Sequence, residues 1–421
     1  MWKIYKAYDR ILEQIKNFNF LCEHREKQTY FTKRTAKLNF VQLIQFILSL
    51  PKASAQLELN RFIENIRSNV TMTKQALQQA RMKLSFTAFT AINLTLAQNA
   101  YIDGKYRTVC GFRPVAVDGS ILSLPPGASK GFGLTQTTKN TFAVQGRALA
   151  LVDVCNDFIL GSDLVEPSID ERTLAADLVK QHVADGVAKP KDLLLHDRGF
   201  ASYELIKHYE SLGVKYLFRV QASFIKAVNE ANEQDQIVVL HGKDKSSVTV
   251  RVLNVILPTG QNEKLLTNVL DPSITPDDFR ALYNLRWGIE VKYLELKERL
   301  DIEDFSGEHE NLIWQDFYAT VFIANMVSLA KHEAQEKVDS DNAEKERKYD
   351  YKINTNLAIG TIRAVLIKAL VVSSPIRRQL LFRKAVIMIS KSVIPIRPER
   401  SRPRIRKHPS AKFPLNQKSN R

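Results

Sequence analysis

Three acidic residues from separate segments have the types and settings needed for phosphoryl-transfer chemistry. Asp118 ends the apolar run VAVD, Asp197 ends LLLHD, and Glu290 lies inside YNLRWGIEVKYLELK. Three carboxylates brought together repel one another and are costly to bury unless a cation neutralises them. Mg²⁺ prefers oxygen ligands, and two ions about 3.5 to 4 Å apart can activate an attacking hydroxyl and stabilise the leaving oxygen of a phosphodiester. The three acids are therefore candidate metal ligands.

The segment of residues 283–297 is predicted to be a helix with one polar face at these acids. At about 100° per residue, the side chains of Tyr283, Arg286, Glu290 and Lys297 fall within roughly 60° of one another. Arg286 and Lys297 could hold phosphates beside the metal, and Tyr283 could donate a hydrogen bond to one. The rest of the helix divides into a polar stripe assigned to solvent and apolar flanks assigned to the core. The solvent stripe comprises Asn284, Gly288, Lys292 and Glu295, and one apolar flank comprises Trp287, Val291 and Leu294.

The elements that would position the acids follow an α/β pattern with a mixed sheet. Strand-like runs occur at PVAVDGS, TFAVQGRALALVDV and DFILGSDLV, and Asn156-Asp157 makes the turn between the last two. A helix, the strand DLLLHD, a second helix and the strand VKYLFRV follow. Because active sites in open α/β sheets form beside strand ends, Asp118 and Asp197 can face one cleft. Alternating runs between 221 and about 270 predict an antiparallel β insertion.

Residues 1 to about 100 are predicted to form a small helical domain. The runs KLNFVQLIQFILSL, QLELNRFIENI and TKQALQQARMKL have polar side chains at helical spacing and no strand alternation. In the third run, Gln75, Gln78 and Arg81 are assigned to an exposed face that suits a helix laid on DNA. A surface helix with no partner is the alternative.

The charge of the chain also indicates a nucleic-acid partner. Residues 371–421 hold 14 Lys or Arg residues and one acid, Glu399, a net charge of +13 out of +16 for the whole chain. The Pro- and Arg-rich segment 395–421 cannot bury enough apolar surface to order itself, but it can neutralise phosphates. A merely solubilising tail is the alternative.

Cysteine usage and hydropathy restrict the compartment. Cys22, Cys110 and Cys155 lie far apart without a CxxC pair, which suits a reducing compartment and predicts no zinc site. Charges interrupt the N-terminal MWKIYKAYDRILEQ, so no signal peptide is expected. The apolar run ATVFIANMVSLA is judged too short to cross a membrane. We therefore expect a cytoplasmic protein with no membrane partner.

The spacing Tyr283-x2-Arg286-x3-Glu290-x6-Lys297 resembles the Y-R-E-K signature of DDE transposases of bacterial insertion sequences, of the insertion sequence four family. VAVDGS looks like the first acidic motif of that family, and HDRGF looks like the second. The N-terminal FTKRTAKLNF and TMTKQALQQARMKL are similar to its helical N-terminal region. The resemblance covers about residues 30–330.

This resemblance implies a ribonuclease-H-like core interrupted by a β domain, in which Asp118, Asp197 and Glu290 bind the catalytic Mg²⁺ ions, with Mn²⁺ as a substitute. It further implies DNA contacts by Tyr283, Arg286 and Lys297, and by Arg198 of the second acidic motif. Trp287 could be a base-stacking platform near the cleaved end, although a tryptophan in a helix is more often part of the core. The expected partners are the terminal inverted repeats of the element, target DNA and a second copy of the chain in a homodimeric synaptic complex.

The resulting hypothesis is a cut-and-paste DNA transposase, and three other interpretations were weighed against it. His196-Asp197 lacks the further histidines and helical setting of an HD-type phosphohydrolase. GASKGFG lacks the Gly-Lys-Ser or Gly-Lys-Thr of a phosphate loop, so no nucleotide cofactor is predicted. A catalytically inactive, domesticated DNA-binding protein stays open as the alternative, although the intact acids argue against it.

The sequence also predicts domain boundaries. The predicted regions are a helical N-terminal DNA-binding region at 1–105, the catalytic core at 106–220 and 271–335, the β insertion at 221–270, a helical C-terminal region at 336–394 and a basic, disordered tail at 395–421.

Overall fold

The computed structural model describes residues 3–32, 36–49, 54–66, 69–102, 104, 106–138, 141–221, 224–256, 262–343 and 349–397. The chain forms two compact units, one of residues 97–298 and one of residues 1–96 with 299–421. Most of the predicted basic tail, residues 398–421, lies outside the described residues.

Helices and strands are numbered in chain order. The helices are α1 (Lys3–Lys16), α2 (Phe18–Glu23), α3 (Phe40–Leu48), α4 (Ala55–Asn65), α5 (Lys74–Arg81), α6 (Thr87–Ala100), α7 (Ser129–Phe132), α8 (Glu171–Ala184), α9 (Tyr203–Leu212), α10 (Lys226–Asn229), α11 (Pro276–Asn284), α12 (Trp287–Glu298), α13 (Glu310–Ala343), α14 (Thr355–Val371) and α15 (Pro375–Ser390), with a short 3₁₀ helix at Pro126–Ala128. The strands are β1 (Arg113–Ser123), β2 (Thr135–Thr138), β3 (Thr141–Ala143), β4 (Gln145–Asp153), β5 (Phe158–Val165), β6 (Asp192–His196), β7 (Lys215–Val220), β8 (Asp235–His241), β9 (Ser247–Ile256), β10 (Asn262–Thr267), β11 (Tyr351–Ile353) and β12 (Val393–Pro395).

The unit of residues 97–298 is built on one mixed sheet with the strand order β5-β4-β1-β6-β7-β10-β9-β8. Strands β5, β4 and β1 pair antiparallel, whereas β1, β6 and β7 pair parallel. This succession of a three-stranded meander followed by two parallel strands reached through helices is the ribonuclease-H-like arrangement that the resemblance implied. The mixed α/β core predicted from the sequence is therefore confirmed.

The predicted antiparallel strands between residues 221 and 270 are present as β8, β9 and β10. They continue the main sheet, because β10 pairs antiparallel with β7 and β9 pairs with β10. Helix α11 packs on this part of the sheet. Its side chains Phe279 and Leu282 join a buried cluster with Leu217 of β7, Leu253 of β9 and Leu265 of β10. The β insertion therefore helps to fix the helix that carries the start of the signature.

Local sequence signals explain where the helices of this unit begin. Thr275 accepts a hydrogen bond from the backbone of Asp278, whose side chain accepts one from the Thr275 N–H, and Pro276 occupies the first turn of α11. The side chain of Asp170 caps the start of α8, and Gly213 ends α9 with a φ of 66°. These residues fix where α8 and α11 begin and where α9 ends.

The second unit, residues 1–96 and 299–421, is helical, with a short antiparallel pair formed by β11 and β12. Helix α13 contacts α1, α3, α14 and α15, so it forms the centre of this unit. By length and composition, its residues Glu310–Asp341 could cross a membrane, which corrects the expectation that the apolar run is too short. In the structure 89% of the apolar window is buried, as in the core helix of a soluble protein.

Candidate active site

The two candidate aspartates lie at the same level on neighbouring parallel strands. The register pairs Val117 of β1 with His196 of β6, and the next residue along each strand direction is Asp118 or Asp197. Residues 113–117 of β1 and all of β6 are buried, and the Asp118 side chain is the point where β1 becomes partly exposed. Apolar strands thus hold both carboxylates at the edge of the core, as a strand-end site requires.

Arg286 connects Asp118 to Glu290. Its guanidinium Nη1 lies 3.3 Å from Asp118 Oδ2, and its Nη2 lies 3.1 Å from Glu290 Oε1. The residue lies in a tight turn between α11 and α12, where the Arg286 N–H bonds to the Tyr283 carbonyl at 3.0 Å and the Ile289 N–H bonds to the Arg286 carbonyl at 3.1 Å. The predicted single helix over 283–297 is therefore wrong, because i→i−3 bonds tighten the chain here.

The second aspartate is held by a different set of groups. Tyr283 Oη donates a hydrogen bond to Asp197 Oδ1 at 3.2 Å, and Arg219 Nη1 lies 3.9 Å from the same oxygen. Arg219 also pairs with Glu263 of β10. Two of the four signature residues thus contact the strand-end aspartates, Tyr283 with Asp197 and Arg286 with Asp118, and Glu290 joins them through its ion pair with Arg286. The prediction that these side chains share one face directed at the acids agrees with this geometry.

Lys297, the last residue of the signature, contacts the backbone of β1. Its Nζ donates a hydrogen bond of 2.7 Å to the carbonyl of Ile121, three residues beyond Asp118 on β1. Arg198, which follows Asp197, is exposed at the end of β6. Lys297 of α12 therefore reaches the strand that carries Asp118, and Arg198 follows Asp197 in the loop after β6.

The surroundings of Asp118 disfavour the charged form of its carboxyl. Burial raises the pKa of its carboxyl to about 6. The Gly119 N–H bond and the Arg286 charge lower this pKa, while the charges of Glu171 and Asp197 raise it. Such an environment favours a bound cation, because the carboxylate carries an unmet electrostatic cost.

Glu171 is a site residue that the sequence reasoning missed. It is the first residue of α8, directly after the N-cap Asp170. Its carboxylate fills the space where Gly119 has no side chain, since a Cβ built on Gly119 would lie 1.9 Å from Glu171 Oε1. Acidic residues are common in the first turn of a helix, where they interact favourably with the helix dipole. The sequence DERT therefore did not indicate that Glu171 lies near the site.

The carboxylate oxygens of the site are suitable ligands for a divalent metal, but the three acids do not lie close enough together to bind one ion. Asp118, Asp197 and Glu290 offer only carboxylate oxygens, the donors that Mg²⁺ prefers. Within the described part of the chain, no three His, Cys, Asp or Glu side chains come together closely enough to hold a metal ion. Arg286 lies between two of the acids and supplies the positive charge there.

Helix α12 exposes and buries faces other than those assigned from the sequence. Trp287, Val291 and Leu294 are 52%, 54% and 60% exposed, so their assignment to the core is wrong. Lys292 and Glu295 of the expected solvent stripe are buried, because Lys292 Nζ lies 2.5 Å from Asp157 Oδ1 and 3.2 Å from Glu295 Oε1. A lysine whose charge is paired with carboxylates in this way can be buried. The polarity of Lys292 and Glu295 alone therefore led to the wrong assignment of this face to solvent.

The exposure predicted for one face of α5 is found for some of its residues. Gln75 is exposed and Gln78 is partly exposed, but Arg81 is 3% exposed, which overturns its assignment to this face. The Arg81 guanidinium donates to Gln315, Ser306 and Asp316 within the same unit. A guanidinium whose donors are used in this way stabilises the fold and cannot read DNA.

Comparison with known proteins places the chain in a family. No curated protein matches it. Among solved structures, a piggyBac transposase synaptic complex with hairpin DNA is similar with a TM-score of 0.47 and 13% identity, over 92% of this chain and 84% of that one. The family model described as Transposase DDE domain matches residues 110–326, slightly more than half of the chain. These residues include Asp118, Asp197 and Glu290, and the chain belongs to the transposase DDE domain family.

Proposed function

We propose that the protein is a DNA transposase of the insertion sequence four family, which cleaves DNA at the ends of its element and joins the freed 3′-hydroxyl to target DNA. The observation that carries the proposal is the set of contacts at the ends of β1 and β6: Tyr283 bonds to Asp197, and Arg286 pairs with both Asp118 and Glu290. Membership of the transposase DDE domain family supports the same reaction class.

The proposed ligands of the catalytic metal are Asp118, Asp197 and Glu290. Bound Mg²⁺, expected as two ions and replaceable by Mn²⁺, would activate the attacking hydroxyl and stabilise the leaving oxygen of the phosphodiester. The buried strands fix the two aspartates, whereas Glu290 lies on α12 and is positioned through Arg286. The raised pKa of Asp118 is consistent with a site that gains stability from a cation.

The cations and aromatic groups around the acids suit a DNA end. Arg286 could exchange its bonds to the carboxylates for a bidentate contact with phosphate. Lys297 and Arg198 would hold the backbone on either side, and Tyr283 would keep Asp197 oriented through its hydroxyl. Exposed Trp287 begins α12 directly after Arg286, so its indole is available to stack on a base near the cleaved bond.

The proposed partners are the terminal inverted repeats of the element and target DNA. Gln75 and Gln78 of α5 would contact the element end, and the net charge of +13 over residues 371–421 would add affinity that does not depend on sequence. Cutting two ends together calls for a homodimer. The proposed compartment is the cytoplasm, without a membrane partner.

The competing function is a catalytically inactive DNA-binding protein derived from a transposase. It requires the same DNA contacts but no metal-dependent cleavage. The presence of all three acids, with Asp118 and Glu290 sharing Arg286, favours the active enzyme.

The two functions separate in a cell-free assay with DNA that carries the inverted repeats flanking the coding region. The full-length parent should shift this DNA in a gel, cut it in Mg²⁺ or Mn²⁺ and join the freed end to a target. Glu290→Gln should shift the DNA equally but abolish cleavage and joining at any metal concentration. Glu298→Gln, which changes an exposed acid on the same helix, should cut like the parent. A parent that binds without cutting would establish the inactive alternative.

A further inference from the structure

An open groove runs beside α5 in the helical unit. It has a volume of about 490 Å³ and is lined on one side by α5 and its flanking residues and on the other by residues 29–31 and 36–38. Its lining residues are Thr29, Tyr30, Phe31, Ala36, Lys37, Leu38, Met72, Ala76, Gln79, Ala80 and Lys83. We call this feature the α5 groove. It lies in the helical unit, whereas the candidate active site lies in the unit of residues 97–298.

The α5 groove is electropositive. Lys37 and Lys83 line it, and none of its described lining residues is acidic. Lys83 Nζ and Lys27 Nζ lie 5.5 Å and 5.9 Å from the centre of the Tyr30 ring, and Lys37 Nζ donates a hydrogen bond to the Thr71 carbonyl at 2.8 Å. Among the described residues, no carboxylate forms an ion pair with Lys27, Lys37 or Lys83. An aromatic face and a carbonyl therefore hold these charges in place without neutralising them.

The walls and floor of the α5 groove include small and apolar side chains. Ala76 and Ala80 present only methyl groups along the α5 side, and buried Leu38 and Met72 form the apolar floor. On the opposite wall, Phe31 has a φ of 61° and packs its ring edge-on against Phe40 of α3 at 5.4 Å. A bulky residue rarely adopts this backbone conformation, so the packing of the ring holds the wall in a defined shape.

The neighbouring surface of α5 adds polar groups that suit DNA. Gln75 and Gln79 are exposed one helical turn apart, and Gln79 also lines the α5 groove. Glutamine amides can pair with base edges, whereas lysines beside them neutralise phosphates. The helix therefore presents base-reading groups next to a cationic channel of the same unit.

We propose that the α5 groove holds the phosphodiester backbone of duplex DNA, with Lys37 and Lys83 on phosphates, while the adjacent face of α5 contacts the bases. This inference rests on the proposed function, because it assigns the DNA backbone to a place on the transposase. The proposed DNA contact does not involve Arg81, whose guanidinium bonds to Gln315 and Asp316 inside the fold.

The test is the salt dependence of DNA binding by the full-length protein. Lys37→Gln/Lys83→Gln should weaken binding at 0.1 M salt by at least about tenfold and lower the log–log salt slope by about 2, or about 0.9 for each phosphate that the variant no longer neutralises. The matched control Lys6→Gln/Lys16→Gln removes the same charge from exposed positions of α1 and should keep the parent slope. Equal weakening in both double variants, or an unchanged slope in the first, would overturn the proposal.

A second variant tests the channel without changing charge. Ala80→Phe places a ring in the α5 groove and should weaken binding to DNA of any sequence at least about tenfold, while circular dichroism shows an unchanged fold. Binding equal to that of the parent would overturn the proposal. The parent is titrated with DNA in the same experiment. If the parent itself does not bind DNA, the proposed function fails. If the parent and both groove variants bind DNA alike, only the assignment of the groove fails.

Discussion

Burial raises the pKa of the Asp118 carboxyl to about 6, so its ionisation costs the folded protein free energy. In the unfolded chain this carboxyl titrates near 3.8, its ordinary value. The folded state therefore binds the proton more tightly, and stability is lost as the pH rises from about 4 through about 6. A cation that binds next to this carboxylate would offset the cost and stabilise its charged form.

Changing Asp118 to Asn should remove this pH-dependent cost. With a chelator present to remove metal ions, the variant and the parent should have the same free energy of unfolding near pH 4. Near pH 7 the variant should be more stable by up to about 3 kcal/mol, because each unit of pKa shift corresponds to about 1.36 kcal/mol. Urea denaturation at the two pH values measures the difference. A variant no more stable than the parent at pH 7 would show that Arg286 already compensates the carboxylate in full.

The packing of Gly119 against Glu171 can be tested by a double-mutant cycle. Gly119→Ala places a Cβ 1.9 Å from Glu171 Oε1, so the carboxylate must move, at a cost of about 1 kcal/mol or more. In a Glu171→Ala background the same change should be neutral or stabilising, because alanine in a strand is favoured over glycine by about 0.5–1 kcal/mol. Additive free energies of unfolding would mean that the two residues do not touch.

At the scale of elements, α12 shows which features of a helix a sequence can predict. The spacing of Tyr283, Arg286 and Glu290 correctly indicated a common target, because a helix and a tight turn both return the chain to one side within three or four residues. Which of the remaining faces is buried depended on Asp157, in a distant turn, because its charge lets Lys292 lie in the core. Local periodicity carries no information about such a partner.

Lys292 should therefore be a determinant of how α12 packs. Lys292→Met leaves the carboxylates of Asp157 and Glu295 without their buried cation, and we expect the free energy of unfolding to fall by about 3–5 kcal/mol. Leu294→Ala, on the exposed face of the same helix, should change it by less than about 0.5 kcal/mol. Thermal and urea unfolding of the two variants measure the contrast. Similar small decreases in both would mean that the ion pair is dispensable.

At the scale of the molecule, the order of the longer strands and helices between β1 and β10 followed from alternation, apolar runs and turn residues, which are local signals, whereas the short elements α7, β2 and α10 were not predicted. The resemblance implied a ribonuclease-H-like core interrupted by a β domain, but not that β8, β9 and β10 continue the main sheet. Contacts between segments distant in sequence could not be predicted, as with Arg81 of α5, whose partners Gln315 and Asp316 lie on α13. Glu171 escaped detection for the same reason, since its neighbour Gly119 lies far from it in the sequence.

The distribution of charge leads to a last prediction, on the basic tail. β12 pairs Pro395 with Tyr351 of β11, and the Ile396 N–H bonds to the Asp350 carbonyl at 2.7 Å, so a deletion should begin after residue 397 to leave this strand pair intact. Residues 398–421 carry eight Lys or Arg residues and one acid, Glu399. Their removal should weaken binding about equally for element ends and random DNA, and should flatten the salt slope by up to about 0.9 for each phosphate that the tail neutralises in the parent.

A matched variant separates charge from chain length in this experiment. Changing the eight Lys and Arg residues of 398–421 to Gln keeps the tail but removes its positive charge, and it should flatten the salt slope as much as the deletion does. Both variants should still prefer the element end over random DNA, because sequence is read by contacts to base edges and not by phosphate contacts. If the parent slope survives in both variants, the tail does not touch DNA, and its charge serves only to keep the protein soluble.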